Sequence, residues 1–176
     1  MREVQEDQPW PLRWNGESVK VVQARAIWNQ ISESAWKSGE PGVVFLERYN
    51  KMSNSWYFEE IISVNPCGEQ GLPAWGVCNL GAINLTRFAE DGTIRWEELG
   101  ESVRTAVRFL DNVIDATEYF FPENEDAQKK TRRTGLGTMG LGDLLLKLNI
   151  RYGSPKALAV CEEIFRFIRD HAYQAS

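Results

Sequence analysis

The sequence contains few of the residues on which disulfide-rich or metal-stabilised domains depend. Three Cys and one His are spread over 176 residues, which is too sparse a set for a disulfide scaffold. No Cys-x-x-Cys pair occurs, so we predict no metal site. Unpaired thiols favour a reducing compartment, and we therefore expect a cytoplasmic protein.

The chain also lacks long apolar runs and an excess of positive charge. No apolar stretch approaches the ~20 residues that span a bilayer, and the polar first residues do not resemble a signal peptide. Lys and Arg number 20 against 25 Asp and Glu, for a net charge of −5. A protein that coats nucleic-acid phosphates needs clustered basic residues. We therefore expect neither a membrane nor a nucleic acid among its partners.

The residues that are present indicate a folded α/β protein. The apolar fraction is 43% and there are seven Trp, which is enough for a real core in one domain of this length. We predict a single domain over residues 1–176. Its parts are an irregular arm at 1–20, then a helix, strands and a loop at 21–86, and a mostly helical region at 87–176. Short apolar strands that alternate with longer helices are typical of α/β folds.

Apolar spacing and turn residues predict individual elements. In the first half they are a helix from about Val21 that ends at Gly39 and Pro41, a buried strand at 43–46, a second extended segment at 58–64, and a strand near 82–85. In the second half they are a long helix from Leu99 to Phe120 stopped by Pro122, a charged solvated stretch at 123–133, a helix around 141–148, and a last helix capped by Ser154 and Pro155.

The segment Asn65-Pro66-Cys67-Gly68-Glu69 differs from ordinary packing sequence. In an extended backbone, residues two apart point the same way, so an amide, a thiol and a carboxylate would share one rim. Such a set supplies a sulfur for one-electron or nucleophilic chemistry, a base, and a group that orients a substrate. The alternative is a turn with a buried Cys and two solvent-facing polar residues.

Residues 39–85 resemble the active-site region of ribonucleotide reductase large subunits. The similar runs are GEPGVVFLERYN at 39–50, NPCGEQ at 65–70 and CNLGAINL at 78–85, and RRTGLGTMGLGDLL at 132–145 also resembles that family. The form Cys-Gly-Glu-Gln is most similar to the adenosylcobalamin-dependent class II branch. The resemblance implies part of the ten-stranded α/β barrel of these enzymes, with a helix-rich C-terminal half, and adenosylcobalamin as the cofactor of the whole enzyme.

The same resemblance implies a radical mechanism for the loop residues. Cys67 would hold a thiyl radical that takes the hydrogen from the 3′ carbon of a ribonucleotide, and Glu69 would take the 3′-hydroxyl proton. Asn65 would hold the substrate hydroxyls, and Pro66 and Gly68 would line the ribose with their backbone. Cys78 would be one half of the dithiol that reduces the intermediate.

The chain departs from the family where the second reducing thiol should be. No Cys precedes Cys67, and Cys161 falls on the apolar face of the last helix, where a core role is expected. We therefore expect a fragment of the catalytic core that is inactive alone. Its implied partners are a ribonucleotide substrate, the remaining reductase segments or subunits, and a thioredoxin-type reductant for the full enzyme.

Three other interpretations stay open at this point. One is a non-catalytic binding or scaffold module that retains the fold. Another is a thiol-disulfide protein that pairs Cys67 with Cys78. The third is a nucleotide loop at 135–140, which matches G-x-G-x-x-G. That pattern is meaningful only after a strand and at a helix start, and here it follows a charged stretch, so we predict that its glycines allow close backbone packing.

Overall fold

The computed structural model describes all residues from 1 to 176, which form two compact units, residues 1–47 and residues 48–176. The N-terminal unit contains α1 (Arg2–Gln5), β1 (Pro9–Trp14), β2 (Glu17–Gln23) and α2 (Ala24–Ser38). The C-terminal unit contains the remaining elements, and the first of them, α3 (Leu46–Met52), begins at the boundary.

The expectation of an irregular arm at 1–20 is wrong. Strands β1 and β2 pair in an antiparallel hairpin from Pro9↔Gln23 to Trp14↔Glu17. Asn15 and Gly16 connect them, both with positive φ, which is the backbone that two-residue hairpin turns require. Proline within a two-stranded hairpin is tolerated because each strand has an edge where an N–H is not needed. The prolines therefore do not exclude a strand here.

Helix α2 ends where the sequence predicted and begins three residues later. Gly39 caps it in the left-handed region with φ 80°, and its N–H donates to the carbonyl of Ala35. The helix starts at Ala24 because residues 21–23 are still paired in β2. The predicted buried strand at 43–46 is wrong: these side chains are exposed, and α3 begins at Leu46. Periodicity cannot identify a short apolar run as a strand, since strand formation depends on a neighbouring segment.

The C-terminal unit is a mixed α/β assembly with small sheets. After α3 come β3 (Ser63–Val64), β4 (Gly71–Leu72), β5 (Leu80–Asn84), a 3-10 turn (Leu85–Phe88), β6 (Ala89–Glu90), β7 (Thr93–Ile94), α4 (Trp96–Ala116), α5 (Pro122–Thr131), β8 (Gly135–Met139), α6 (Leu141–Lys147) and α7 (Pro155–Ala175). Strand β5 pairs in parallel with β8, and the other pairs are antiparallel hairpins. The predicted strand near 82–85 is confirmed, whereas only 63–64 of the predicted extended segment 58–64 is a strand.

Gly135 and Gly137 lie within β8, and Gly140 alone connects β8 to α6, so the three glycines do not form a glycine-rich loop between a strand and a helix. A Cβ at Gly135 would overlap Leu80 Cδ2 on the paired strand. The prediction of close packing is therefore confirmed at Gly135, and residues 135–139, which we did not expect to form a strand, do so.

The core lies between β5, the 3-10 turn and helices α4, α6 and α7. Its buried members are Ile83, Leu85, Ala89, Leu99, Val103, Leu144, Ile164 and Ile168.

Helix α4 ends at Ala116, because the backbone of the next residue, Thr117, is extended. The prediction that this helix continues to Phe120 is therefore wrong. Pro122 instead starts α5 as its first residue, a position where its missing N–H has no cost. Ser154 caps α7 as predicted, accepting from the N–H of Ala157. None of the helices combines the length and apolar character that crossing a membrane needs.

Candidate active site

The Asn65–Glu69 segment is the tip of the β3–β4 hairpin. Ser63 pairs with Leu72 and Val64 with Gly71, and the Asn65 N–H donates to the Gln70 carbonyl at 3.1 Å. These contacts leave residues 66–69 as a short connection between two strands.

The connection is a β-turn. The Gly68 N–H donates to the Asn65 carbonyl at 2.9 Å, with Pro66 and Cys67 at the two central positions. Asn at the first position, Pro at the second and Gly at the fourth are the residues that a type I turn prefers. Gly68 has φ +81°, a conformation that glycine adopts without steric cost. The pattern Asn-Pro-Cys-Gly was therefore a turn signal in the sequence.

The turn changes how the three predicted side chains are placed. Asn65 is 8% exposed, and its Oδ1 accepts from the Gln70 N–H at 2.9 Å. Cys67 and Glu69 are exposed. The assumption of extended backbone is wrong here, and so is the alternation argument that rested on it, because Asn65 closes the loop from inside. The alternative of a buried sulfur is also wrong, since the Cys67 thiol reaches solvent. The chemical roles of Asn65, Cys67 and Glu69 stay predictions.

Two neighbouring residues of α3 hold this hairpin, and the sequence analysis assigned neither of them a role. The Tyr49 hydroxyl donates to the Gly68 carbonyl at 2.8 Å. The Asn50 amide donates to the Ile61 carbonyl and accepts from the Ile61 N–H, both at 2.8 Å. The run ERYN belonged to the family-like sequence, but nothing local in it indicated contacts with a loop almost twenty residues away.

Gln70, the last residue of the loop, has a buried side-chain amide, and neither of its polar atoms has a hydrogen-bond partner within the chain. A Cβ at Gly135 would lie 3.4 Å from its Oε1, so the amide faces the start of β8. A buried amide without partners is costly, and such groups require an explanation in terms of strain or function.

Cys78 lies two residues before β5 and is exposed. Its neighbour Asn79 is buried, and the Asn79 amide donates to the Leu110 carbonyl in α4 at 2.8 Å. The Asn79 carbonyl accepts from the Gly135 N–H at 2.9 Å. Asn79 therefore anchors the backbone between Cys78 and the start of β5. All three cysteines are free, and Cys161 is half-buried in α7.

The charged stretch predicted to be solvated at 123–133 is exposed at Glu123, Asp126, Lys129 and Lys130, as expected. Its two arginines before β8, however, are in ion pairs. Residues 122–131 form α5. The Arg132 guanidinium contacts the carboxylates of Asp111 and Asp115 at 2.7 and 3.0 Å, and these hydrogen bonds raise the pKa of Arg132 and lower the pKa of Asp115. Arg133 pairs with Glu59, and partial burial lowers the pKa of Arg133.

Comparison with known proteins identifies the family. The sequence profile described as "Ribonucleotide reductase, barrel domain" matches residues 11–176. A vitamin B12-dependent ribonucleoside-diphosphate reductase from Thermoplasma acidophilum is 43% identical over 159 residues, which cover 90% of this chain and 21% of the relative. An enzyme of the same name from Mycobacterium tuberculosis is 41% identical over 161 residues, or 92% of this chain and 23% of the relative. The chain thus spans about a fifth of the length of these relatives.

The fold agrees with that match. The class Id ribonucleotide reductase alpha subunit of Actinobacillus ureae superposes with a TM-score of 0.72 at 24% identity, covering 86% of this chain and 31% of that one. The expected fold class is therefore confirmed. A profile match over nearly the whole length, together with the hairpin that carries Cys67 and with Cys78 just before β5, shows that this chain belongs to the ribonucleotide reductase barrel-domain family.

Proposed function

We propose that this chain is part of the catalytic core of a ribonucleotide reductase, which converts ribonucleotides to deoxyribonucleotides for DNA synthesis by thiyl-radical chemistry. The observation that carries the proposal is the Asn65–Gln70 hairpin tip. It presents an exposed thiol and an exposed carboxylate two residues apart on a turn that is closed by its own hydrogen bonds. We also propose that residues 1–176 are one part of a single barrel domain that the rest of the enzyme completes.

In this proposal Cys67 carries out the hydrogen transfer. A thiol suits the task because its S–H bond is close in strength to the ribose C–H bond, so that hydrogen transfer in either direction is nearly balanced. The thiyl radical of Cys67 takes the 3′ hydrogen of the ribose and becomes a thiol again. Exposure of Cys67 allows a substrate to reach the sulfur. In the whole enzyme the site has to exclude water and stray hydrogen donors.

Glu69 acts as the base in the next step. Its carboxylate takes the 3′-hydroxyl proton, which promotes loss of the 2′-hydroxyl, and one of the two reducing thiols supplies the proton with which that hydroxyl leaves as water. Asn65 holds the substrate hydroxyls. Asn65 Oδ1 already accepts a hydrogen bond from the Gln70 N–H. The amide hydrogens on Asn65 Nδ2 therefore donate the hydrogen bonds to the substrate hydroxyls. The backbone at Pro66 and Gly68 lines the ribose.

Cys78 supplies one of the two thiols that reduce the intermediate. The disulfide that forms needs a second cysteine, which the family resemblance places upstream of Cys67. No Cys precedes Cys67 in this sequence, so another segment of the enzyme has to supply the second thiol. A thioredoxin-type protein would then reduce that disulfide in the full enzyme. For this reason the 176-residue chain is expected to be inactive until it is joined by the remaining reductase segments.

The cofactor of the whole enzyme in this proposal is adenosylcobalamin, because the relatives at 43% and 41% identity are named vitamin B12-dependent. When bound, it supplies the one-electron oxidation of the Cys67 thiol. The exposed position of this sulfur fits that requirement, and we assign no residue of this chain to holding the cofactor. A reducing, cytoplasmic compartment completes the proposal, supported by three free thiols.

The decisive experiment replaces single cysteines in the reassembled enzyme. The chain is combined with the remaining reductase segments, a ribonucleoside diphosphate, adenosylcobalamin and a dithiol, and deoxynucleotide is measured by chromatography. Cys67→Ser should abolish product, since an alcohol O–H is too strong to exchange hydrogen with the ribose. Cys161→Ser is the matched control and should keep parental activity, because Cys161 belongs to α7.

Product formation by Cys67→Ser at the parental rate would remove the catalytic role and favour a non-catalytic module with the reductase fold. The isolated chain under the same conditions should form no deoxynucleotide, and repeated turnover by it would contradict the need for outside segments.

A further inference from the structure

The Tyr49 hydroxyl reaches the backbone between the two exposed groups of the hairpin tip. It donates to the carbonyl of Gly68, which lies between Cys67 and Glu69, at 2.8 Å. We propose that Tyr49 is a positioning residue that fixes the Gly68 carbonyl and thereby the directions in which Cys67 and Glu69 point. The role in catalysis rests on the function proposed above, whereas the role in ordering the loop does not.

The loop needs such a contact because its own hydrogen bonds act elsewhere. The bonds between Asn65 and Gln70 close the base of the loop, and the Gly68 N–H bond to Asn65 closes the turn. None of these three bonds uses the Gly68 carbonyl. Gly68 has φ +81° and open space where a Cβ would be, and glycine resists backbone rotation least of all residues. The peptide that joins Gly68 to Glu69 is therefore the part of the loop for which an external hydrogen bond matters most.

The aromatic ring of Tyr49 is itself held in place. A Cβ added to Gly71 in β4 would lie 2.8 Å from both Cδ1 and Cε1 of that ring, and 2.9 Å from Ile61 Cγ2. The ring thus packs directly against the β4 backbone, which only glycine allows at position 71. The adjacent Asn50 fixes α3 to Ile61 through two hydrogen bonds. Tyr49 therefore extends from a fixed helix, across the base of the hairpin, to its tip.

The first test uses the isolated 176-residue chain labelled with ¹⁵N. Tyr49→Phe removes the hydroxyl and retains the ring. Tyr119→Phe is the matched control, because its hydroxyl donates to another backbone carbonyl, that of Ile114, at 3.1 Å. We expect Tyr49→Phe to shift and broaden the amide signals of residues 67–69, with far-UV circular dichroism unchanged. Tyr119→Phe should affect only signals near 114–119.

Gly71→Ala provides a second variant, since the added methyl group displaces the Tyr49 ring instead of removing its hydroxyl. It should perturb the same signals of residues 67–69. Parental spectra at 67–69 in both Tyr49→Phe and Gly71→Ala would overturn the proposal, whatever the activity of the enzyme.

The second test measures steady-state kinetics in the reassembled enzyme. Small misplacements of reacting groups affect the chemical step more than binding, so Tyr49→Phe should lower kcat by roughly ten- to a hundredfold with KM changed less than about twofold. Tyr119→Phe should retain both constants. Equal kcat in parent and Tyr49→Phe would overturn the catalytic role. An inactive parent enzyme would instead count against the proposed function, and the NMR comparison would still decide whether Tyr49 orders the loop.

Discussion

Two buried glutamines of the C-terminal unit are used in different ways. Gln128 in α5 is 1% exposed, and its Nε2 donates to the Arg133 carbonyl at 2.8 Å. Gln70, at the end of the hairpin loop, has no partner for either side-chain polar atom, although its backbone N–H and carbonyl close the loop. The Gln70 backbone stabilises the site, whereas its side chain bears an uncompensated desolvation cost.

This contrast predicts opposite effects of one substitution. Gln70→Met keeps the shape and removes the unsatisfied amide, so it should leave the free energy of unfolding unchanged or raise it by up to about 2 kcal/mol. Gln128→Met removes the donor to the Arg133 carbonyl together with an Oε1 that has no partner, so it should lower that free energy by about 1 kcal/mol. Urea denaturation of the isolated chain measures both. A loss for Gln70→Met as large as that for Gln128→Met would mean that the Gln70 amide is satisfied in solution.

At the scale of elements, the crossing of α4 and α7 depends on a glycine. A Cβ at Gly100 would lie 2.9 Å from His171 Cδ2 and 3.3 Å from Phe167 Cζ. The two rings stack with centroids 3.9 Å apart, and the His171 Nδ1 lies 3.0 Å from the Phe167 carbonyl. Neither ring is therefore free to move away, and the close approach of α4 to α7 requires the absence of a side chain at position 100.

Alanine substitutions at two helical glycines separate packing from helix propensity. Gly100→Ala should lower the free energy of unfolding by about 1–3 kcal/mol, because overpacking at the crossing outweighs the better propensity of alanine. A Cβ at Gly142 in α6 would have no atom within 4 Å. Gly142→Ala should therefore raise the free energy of unfolding by about 0.5–1 kcal/mol, because alanine has the better helix propensity. Thermal unfolding followed by circular dichroism provides the comparison. A stabilising Gly100→Ala would show that α7 can shift away from α4.

At the scale of the whole molecule, the pH dependence of stability reflects ion pairs that join distant segments. Arg132 precedes β8 and binds Asp111 and Asp115, both in α4. The hydrogen bond from Arg132 lowers the pKa of Asp115 in the folded chain. A carboxylate with a lowered folded pKa stabilises the fold above its ordinary pKa of about 4, and that contribution disappears as the pH falls through the lowered value.

Asp115→Asn should therefore reduce stability at pH 7 and have little further effect near pH 2. Because the pair is exposed, the reduction should be small and should shrink in 1 M salt, where the screening length is about 3 Å. Asp126→Asn, which removes an exposed carboxylate of α5 that forms no ion pair, is the control. Denaturant midpoints at both pH values provide the measurement, and equal midpoint shifts for the two variants at pH 7 would contradict a specific role for Asp115.

Local signals in the sequence determined those features that depend on neighbouring residues alone. Gly39 ends α2 and Ser154 begins α7, because the cap geometry involves only residues within one turn of the helix. The NPCGEQ and CNLGAINL runs identified the family, since their residue types and spacing are specific. The loop conformation was also encoded locally, in the Asn-Pro-Cys-Gly turn pattern, although the alternation argument favoured extended backbone.

Only the tertiary structure decided which distant segments pair and which side chains are buried. The pairing of β5 with β8 and the exposure of residues 43–46 depend on which distant segments come into contact, whereas the β1–β2 hairpin was encoded locally in its Asn15-Gly16 turn. The contact of Tyr49 with Gly68 also joins segments that are distant in sequence. Local patterns indicate which conformation a side chain or turn prefers, whereas packing determines which groups form hydrogen bonds across the fold. The Cys67 thiol could therefore be identified from the sequence. The residues that hold its loop could be identified only from the structure.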